Sequence, residues 1–552
     1  MENTEMKKII DRQRAFFHTG TTLDVSFRIA ALKRLQHMIR RHEKEIEAAL
    51  LLDLKKSSFE SYMCETGLVR DEIHYMLRHI RSFAKEQDVR TPLAQFCSRS
   101  YRKPSPYGVT LIISPWNYPI LLTLDPLIDA IAAGNTVILK PSAYSPACSD
   151  LLAKLIHRYF PAKYLTVITG GRSENTALLE QHFDYIFFTG SKTVGREVMR
   201  QASSHLTPVT LELGGKSPCL VDESADLALA ARRIVFGKFL NCGQTCVAPD
   251  YIYCDEKRKE ALICELKRQI TKQFGSEPLK NPSYGKIINQ KHFERIRRLL
   301  NPEKVIFGGN VNPDTLQIAP TLLDHVTFED AIMQEEIFGP LLPVLTYSSL
   351  DEAIRTEEKV CHYLDVPIQH ASDRILKRMG RRTNQAQLRE IIGKLRAAVP
   401  DIALRTTMIA GFPGETQEDH EEVMRFVDEM EFERLGVFTY SAEEDTPAAT
   451  FPDQIPEEVK EERRDEIMEL QQEIAFEKSE SMVGRVLDVM IEGKVADEAA
   501  YVGRTYMDAP NVDGYIFVNS GELFMSGDFV RVKVIGSNDY DLIGEVYDES
   551  AE

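Results

Sequence analysis

No cysteine follows Cys361 in this chain of 552 residues. The nine present are Cys64, Cys97, Cys148, Cys219, Cys242, Cys246, Cys254, Cys264 and Cys361. They form no paired framework, which argues for reduced thiols rather than disulfides. A cysteine-held metal cluster is excluded from the remainder of the chain. Long apolar runs are also missing. The longest tract, 111–134, is interrupted by Pro115, Pro119, Asp125, Pro126 and Asp129, so it does not offer the roughly 20 apolar residues of a membrane span. Residues 1–20 alternate charge with apolar positions and lack the apolar core of a secretory signal, so the expected compartment is the cytoplasm. Internal repeats and low-complexity tracts are absent, which excludes a solenoid.

What is present is ordinary globular composition, 43% hydrophobic and 27% charged, with room for three or four domains. The charge is unevenly spread. Residues 357–552 carry 43 acidic and 21 basic side chains, against 41 and 46 in the rest. A net −22 following a net +5 points to two segments of different character joined near residue 357.

Residues 1–90 are rich in helix formers at 3.6-residue spacing, most clearly over 28–51. Short apolar strand patterns at 109–114, 136–139, 165–169 and 185–188, separated by helical stretches, predict a doubly wound parallel sheet. A second alternating region runs over 209–344. Helix and strand alternate again to about residue 440, and 456–480 reads as a long charged helix. Beyond it, β-rich runs at 485–491, 501–506, 515–518, 529–535 and 542–546 with Gly, Asn and Asp turns predict a compact antiparallel barrel.

The run Asn241-Cys242-Gly243-Gln244-Thr245-Cys246 places a thiol in a polar, turn-rich setting where a thiolate could form, which predicts Cys246 as the most reactive thiol. Upstream, by 34 residues from Glu212 to Cys246, lies Leu211-Glu212-Leu213-Gly214-Gly215-Lys216-Ser217-Pro218. The set is completed by Ser114-Pro115-Trp116-Asn117-Tyr118-Pro119, Lys140-Pro141-Ser142, Phe188-Thr189-Gly190-Ser191 and Glu335-Glu336-Ile337-Phe338-Gly339-Pro340. In order and company these resemble the aldehyde dehydrogenases, closest to the fatty and aromatic aldehyde branch, over nearly all of residues 1–356.

The resemblance implies a reaction. Cys246 adds to an aldehyde, Asn117 and the Cys246 backbone N–H stabilise the oxyanion, and Glu212 activates the water that hydrolyses the thioester. It also implies a nicotinamide nucleotide held by Lys140, Gly190, Ser191 and Gly195 at a helix N-terminus, with Glu336 and Phe338 on the nicotinamide side. A strict Gly-x-Gly-x-x-Gly is absent, so the site is the dehydrogenases' own variant. Ala143 stands where many relatives carry a ribose-binding glutamate. Losing that carboxylate makes NADP an expected cofactor beside NAD. The family continues for roughly a hundred residues beyond Pro340, a domain-scale length, and nothing after 356 resembles that stretch, so impaired turnover is expected.

From Lys359 the motifs change. Tyr363-Leu364-Asp365-Val366-Pro367-Ile368-Gln369-His370, Arg405 followed by Gly411-Phe412-Pro413-Gly414-Glu415, and Phe438-Thr439-Tyr440-Ser441 with Asp445-Thr446-Pro447 resemble the C-terminal half of a radical-SAM methylthiotransferase acting on a ribosomal protein. The resemblance puts Gln369, Arg405, Gly411 and Gly414 on the S-adenosylmethionine side. The Cys-x-x-x-Cys-x-x-Cys that such chemistry needs is absent, so neither an iron–sulfur cluster nor any other metal site is expected. Residues 481–552 resemble a TRAM barrel, a module that usually binds RNA, but 14 acidic against 5 basic residues point to a protein partner or a structural role.

The sequence thus predicts an α/β protein of four parts. These are N-terminal helices with a Rossmann-type domain (1–208), a partial catalytic domain (209–356), a partial radical-SAM barrel (357–480) and a TRAM-like barrel (481–552). The expected activity is NAD(P)-dependent oxidation of a small-molecule aldehyde, without a membrane partner. A rival reading is a non-catalytic, ribosome-associated protein touching a ribosomal protein through residues 358–552, or an artefactual join of two coding regions. Oligomeric state is not fixed.

Overall fold

A computed structural model describes residues 3–89, 98–348, 361–443, 446–495, 498–510 and 512–547. Cys97, the join near 357 and Asp445 lie outside the described residues. The chain separates into two compact units, 1–347 and 348–552.

In the first unit, apolar β-branched runs form a sheet of five parallel strands: β1 (Val109–Ile113), β2 (Thr136–Lys140), β3 (Leu165–Val167), β4 (Tyr185–Gly190) and β5 (Val209–Leu213). Their order is β3-β2-β1-β4-β5. Alternate residues feed two cores. Ile112, Val137 and Leu139 pack with the helices Val25–Arg41, Gly67–Phe83 and Leu121–Ala133, while Val109, Leu111 and Ile138 pack with Met6 and Ile10 of the first helix and with Val198. Helices therefore cover both faces, which explains the near-continuous apolar strands. The order reverses between β1 and β4, and ligands of open α/β sheets bind at the carboxyl ends of strands at such a reversal.

Two sequence expectations shift. The helical stretch expected over 28–51 is two helices, Val25–Arg41 and Glu43–Leu54, broken at His42, whose backbone (φ −109°, ψ 17°) leaves the helical region. Strand β5 completes the first sheet, which thereby runs past residue 208.

A second sheet follows, with β6 (Pro218–Val221), β7 (Tyr251–Asp255), β8 (Val305–Phe307), β9 (Thr321–Leu323) and β10 (Leu341–Tyr347) in the order β8-β9-β10-β7-β6. All neighbours are parallel except β8 and β9.

The second unit contains a three-stranded parallel sheet, β11 (Tyr363–Asp365), β12 (Ala403–Ala410) and β13 (Arg434–Thr439). The helices Gln385–Ala398, Gln417–Met430 and Glu457–Ser481 pack on it through Leu388, Val423, Phe426 and Ile467. Strands β14 (Val486–Lys494), β15 (Ala500–Arg504), β16 (Ile516–Asn519), β17 (Phe529–Asn538) and β18 (Asp541–Val546) then close a barrel in the order β14-β15-β16-β18-β17. It is not wholly antiparallel as expected, because β16 and β18 run parallel. The reason is geometric: five strands cannot alternate direction all the way round a closed ring.

Among the described residues, no helix is long and apolar enough to cross a membrane.

Candidate active site

Four of the predicted residues sit at or just beyond strand ends of the first sheet. Asn117 follows β1, Lys140 ends β2, Gly190 ends β4 and Glu212 lies in β5 opposite Thr189. The parallel register brings these distant motifs to one edge, the edge containing the order reversal.

The thiol segment is built by a left-handed turn. Asn241, Cys242 and Gly243 have φ of 51°, 54° and 73°, a conformation that costs L-residues energy and is found at functional turns. The positive φ at Gly243 has a second reason: a Cβ there would lie 2.3 Å from the carbonyl oxygen of Gly339. The turn is held by Glu60, whose Oε1 accepts from the Asn241 N–H (2.9 Å). Gln244 then acts as a hub. Its carbonyl accepts from Asn117 Nδ2 (3.0 Å), its Nε2 donates to the Lys286 carbonyl (3.0 Å), and its Oε1 accepts from the Ile288 N–H (3.0 Å). One Asn117 carboxamide hydrogen is therefore committed to the turn.

Cys246 is half-buried, and burial pushes its thiol up, the carboxylates of Glu336 and Glu212 adding to the effect while the backbone N–H groups of Cys246 and Val247 oppose it. The polar environment expected from the sequence is thus outweighed by desolvation. Among the described residues, Cys264 and Cys361 are the exposed thiols. Cys242 is buried, and burial drives its thiol far higher.

Two carboxylates face the thiol and differ in environment. Glu212 is exposed. Glu336 is pushed up to about 7, by burial first and by the Asp250 carboxylate next, against a hydrogen bond from the Gly215 backbone. Its carboxylate lies against Gly214, where a Cβ would come within 1.9 Å of Oε2.

The loop carrying Glu336 and Phe338 is fixed on three sides. Asp250 accepts the Ile337 N–H on both oxygens (3.1 and 3.2 Å) and pairs with Lys216 (2.7 Å) and the fully buried Lys238 (3.6 Å). Lys216 Nζ also donates to the carbonyls of Ile332 (2.6 Å) and Glu335 (2.9 Å). Arg295 donates to the Ile337 carbonyl (2.6 Å) and pairs with Glu335 (3.1 Å). The Phe338 ring stands edge-on to Trp116, centroids 5.4 Å apart.

Two of the predicted nucleotide residues, Gly190 and Gly195, sit at close-packed positions. A Cβ on Gly190 would meet the Phe188 ring at 2.6 Å, and one on Gly195 would meet Leu213 at 2.9 Å, so the helix Lys192–Ser203 packs close over β4 and β5. Ser191 caps that helix. Lys140 is buried, its Nζ donating to the carbonyls of Pro141 (3.0 Å) and Gly170 (2.7 Å), and burial lowers it to about 8.

Residues 1–362 match the sequence profile of the aldehyde dehydrogenase family, and residues 483–546 that of the TRAM domain. The chain belongs to the aldehyde dehydrogenase family. It is 49% identical over 343 residues to the 4,4'-diaponeurosporen-aldehyde dehydrogenase of Staphylococcus aureus, spanning 62% of this chain and 75% of that one. To the dimeric NADP-preferring aldehyde dehydrogenase of Canis lupus familiaris it is 42% identical over 377 residues, 68% of this chain and 83% of that one. The solved substrate-bound AldH of Staphylococcus aureus superposes with a TM-score of 0.63 and 40% identity, covering 78% of this chain and 84% of that structure.

Several residues of the site escaped the sequence. Gln244 and Lys216 lie inside quoted motifs, where adjacency was a signal. Asp250 and Arg295 gave none, because a charged residue in a helical or loop pattern reads as solvated surface.

In the second unit the residues expected on one side of a ligand do not form one cluster. Arg405 lies near the start of β12, pairing with Asp513 (3.1 Å) and Asp365 (3.7 Å), whereas Gly411 and Gly414 lie in the turn beyond the strand's other end. At about 3.3 Å per residue, six residues of strand separate Arg405 from Gly411 by about 20 Å. Gln369 bridges to Met408 between them. The Gly411 turn is closed by Glu415, which accepts from the Gly411 (2.8 Å) and Phe412 (3.1 Å) N–H groups.

Proposed function

We propose that the chain oxidises an aldehyde to a carboxylic acid through a thioester on Cys246, with NAD or NADP as cofactor. The observation that carries the reading is the convergence of Asn117, Cys246 and Glu336 on one turn, through Gln244 and the close approach of Gly243 to Gly339.

The residues fit a dinucleotide. The capped N-terminus of a helix of 12 residues sits at the sheet's order reversal, and a Cβ at Gly190 or Gly195 would crowd the Phe188 ring or the Leu213 side chain. Gly190, Ser191, Gly195 and Lys140 would hold the phosphates and ribose, and Glu336 and Phe338 the nicotinamide side. Ala143 leaves no carboxylate to repel a 2′-phosphate, which supports NADP beside NAD. A bound nicotinamide nucleotide supplies the acceptor for the aldehyde hydrogen.

The protein's own groups do the rest. Cys246, whose thiol burial raises above the ordinary value, must lose its proton before it adds to the carbonyl carbon. Glu212, whose carboxylate acts on the same thiol and is exposed, would take it and pass it to solvent. The Asn117 carboxamide and the Cys246 backbone N–H stabilise the resulting oxyanion. Glu212, exposed at the end of β5, is placed in solvent to draw a proton from the water that hydrolyses the thioester.

The test is NAD(P)H formation from a medium-chain aldehyde and from benzaldehyde, together with mass detection of an acyl adduct on Cys246. An adduct in the wild type that is missing in Cys246→Ala is expected. NAD(P)H formation that survives Cys246→Ala would overturn the reading.

A further inference from the structure

Trp116 is the only tryptophan of the chain and immediately precedes Asn117. Its indole is flanked by Phe338 on one side, at 5.4 Å, and by the His292 imidazole, at 4.9 Å and inclined by 42°. His292 also meets the Tyr144 ring edge-on at 5.8 Å. It sits in the first turn of the helix Gln290–Leu299, where its N–H donates to the capping side chain of Asn289 (3.0 Å).

These contacts close a ring. Asn117 bonds to Gln244, Gln244 bonds to the Ile288 N–H, Ile288 leads into the Asn289 cap, the cap fixes His292, and His292 lies against Trp116. Two adjacent residues, 116 and 117, are thus gripped by separate routes that meet on one helix. The same helix carries Arg295, which holds the Glu336–Phe338 loop through the Ile337 carbonyl.

From this closed ring we infer that His292 is a positioning residue, whose imidazole packs on Trp116 and thereby fixes the Asn117 carboxamide against the turn that carries Cys246. The inference rests on the reading of Cys246 and Asn117 proposed above. The role requires a flat, neutral ring. Burial, with Arg295 and Lys291 nearby, lowers His292 to about 4, so at neutral pH it stacks without a charge that would need hydration. Removing the ring opens one arm of the circuit while leaving every hydrogen bond of Gln244 in place. The segment then loosens without loss of the fold.

The sole tryptophan makes the test direct, on the full chain and without cofactor. His292→Ala is expected to shift Trp116 emission to longer wavelength and to raise the rate of iodoacetamide alkylation at Cys246, followed by peptide mass mapping, by roughly fivefold, since a loosened segment uncovers the thiol. The melting midpoint is expected to hold. His292→Phe, which keeps the ring, is expected to restore both wild-type values. Unchanged emission, unchanged alkylation, or failure of the Phe variant to restore them would overturn the inference. The two claims fail separately. A wild-type chain that forms no acyl adduct on Cys246 sinks the functional reading, whereas a normal wild-type adduct with no response to His292→Ala sinks the positioning role alone.

Discussion

Lys56 and Glu65 form an ion pair of 2.6 Å with both side chains wholly excluded from solvent, and together they hold both ends of the segment that carries Asn117. Lys56 Nζ donates to the Asn117 carbonyl (2.9 Å) and lies 4.0 Å from the centre of the Tyr118 ring, while Glu65 Oε2 accepts from the N–H groups of Ile120 (3.0 Å) and Leu121 (2.9 Å). Glu65 is presented by a π-helical turn, Tyr62–Thr66, a local widening of the helix common at functional sites.

Removing one member of this pair leaves the other as an uncompensated buried charge. Lys56→Met is expected to cost about 3–5 kcal/mol, read as a lowered urea midpoint with an unchanged slope. A loss under about 1 kcal/mol would show that the pair is reached by water.

The raised Cys246 thiol has a kinetic signature. Because its folded-state value lies above that of an ordinary thiol, less thiolate is present at neutral pH, and its alkylation rate should keep climbing with pH through the range in which an ordinary thiol levels off. Peptide mapping across a pH series checks this. A Cys246 profile that levels off below the ordinary thiol range would mean that the site stabilises the thiolate.

Gly243→Ala meets both a left-handed backbone and the Gly339 carbonyl at 2.3 Å. Relief requires parting the thiol turn from the Glu336 loop. Beyond about 1–3 kcal/mol of strain, NAD(P)H formation should fall more than the denaturant midpoint suggests. Wild-type activity in this variant would show that the close approach is dispensable.

Anaerobic reconstitution with iron and sulfide should give no stoichiometric cluster. No cysteine follows residue 361, and among the described residues no group of three potential metal ligands is assembled. An electron paramagnetic resonance signal with S-adenosylmethionine cleavage would refute this.

Turnover by this chain should fall far below that of a relative matched here over only about three quarters of its own length. Val247, next to the thiol, is 81% exposed, so water and motion reach the reacting groups, and misplacement by about 1 Å can cost roughly a hundredfold. Steady-state rates in the ordinary range of about 1 to 1000 per second would show that the site closes as it stands.

The sequence alone determined the motifs and the strands that carry them. Asn117, Lys140, Gly190 and Glu212 were named from motifs that resemble those of the aldehyde dehydrogenases, and strands β1 and β2 beside them were legible because short, fully buried apolar runs leave a pattern in the residues themselves. The charge break near 357 and the β-rich tail were legible for the same reason: composition and alternation are local. Only tertiary structure decided how these pieces are held. The parallel pair inside the barrel follows from closing an odd number of strands, which no single strand records. The Lys56–Glu65 pair, the Gln244 hub and the Asp250 anchor join residues far apart in the chain, and a charged residue looks solvated until the fold buries it. The Cys246 thiol is the sharpest case. Its neighbours in sequence are polar, but desolvation is set by what packs around it in space, and that raises its pKa above the ordinary value.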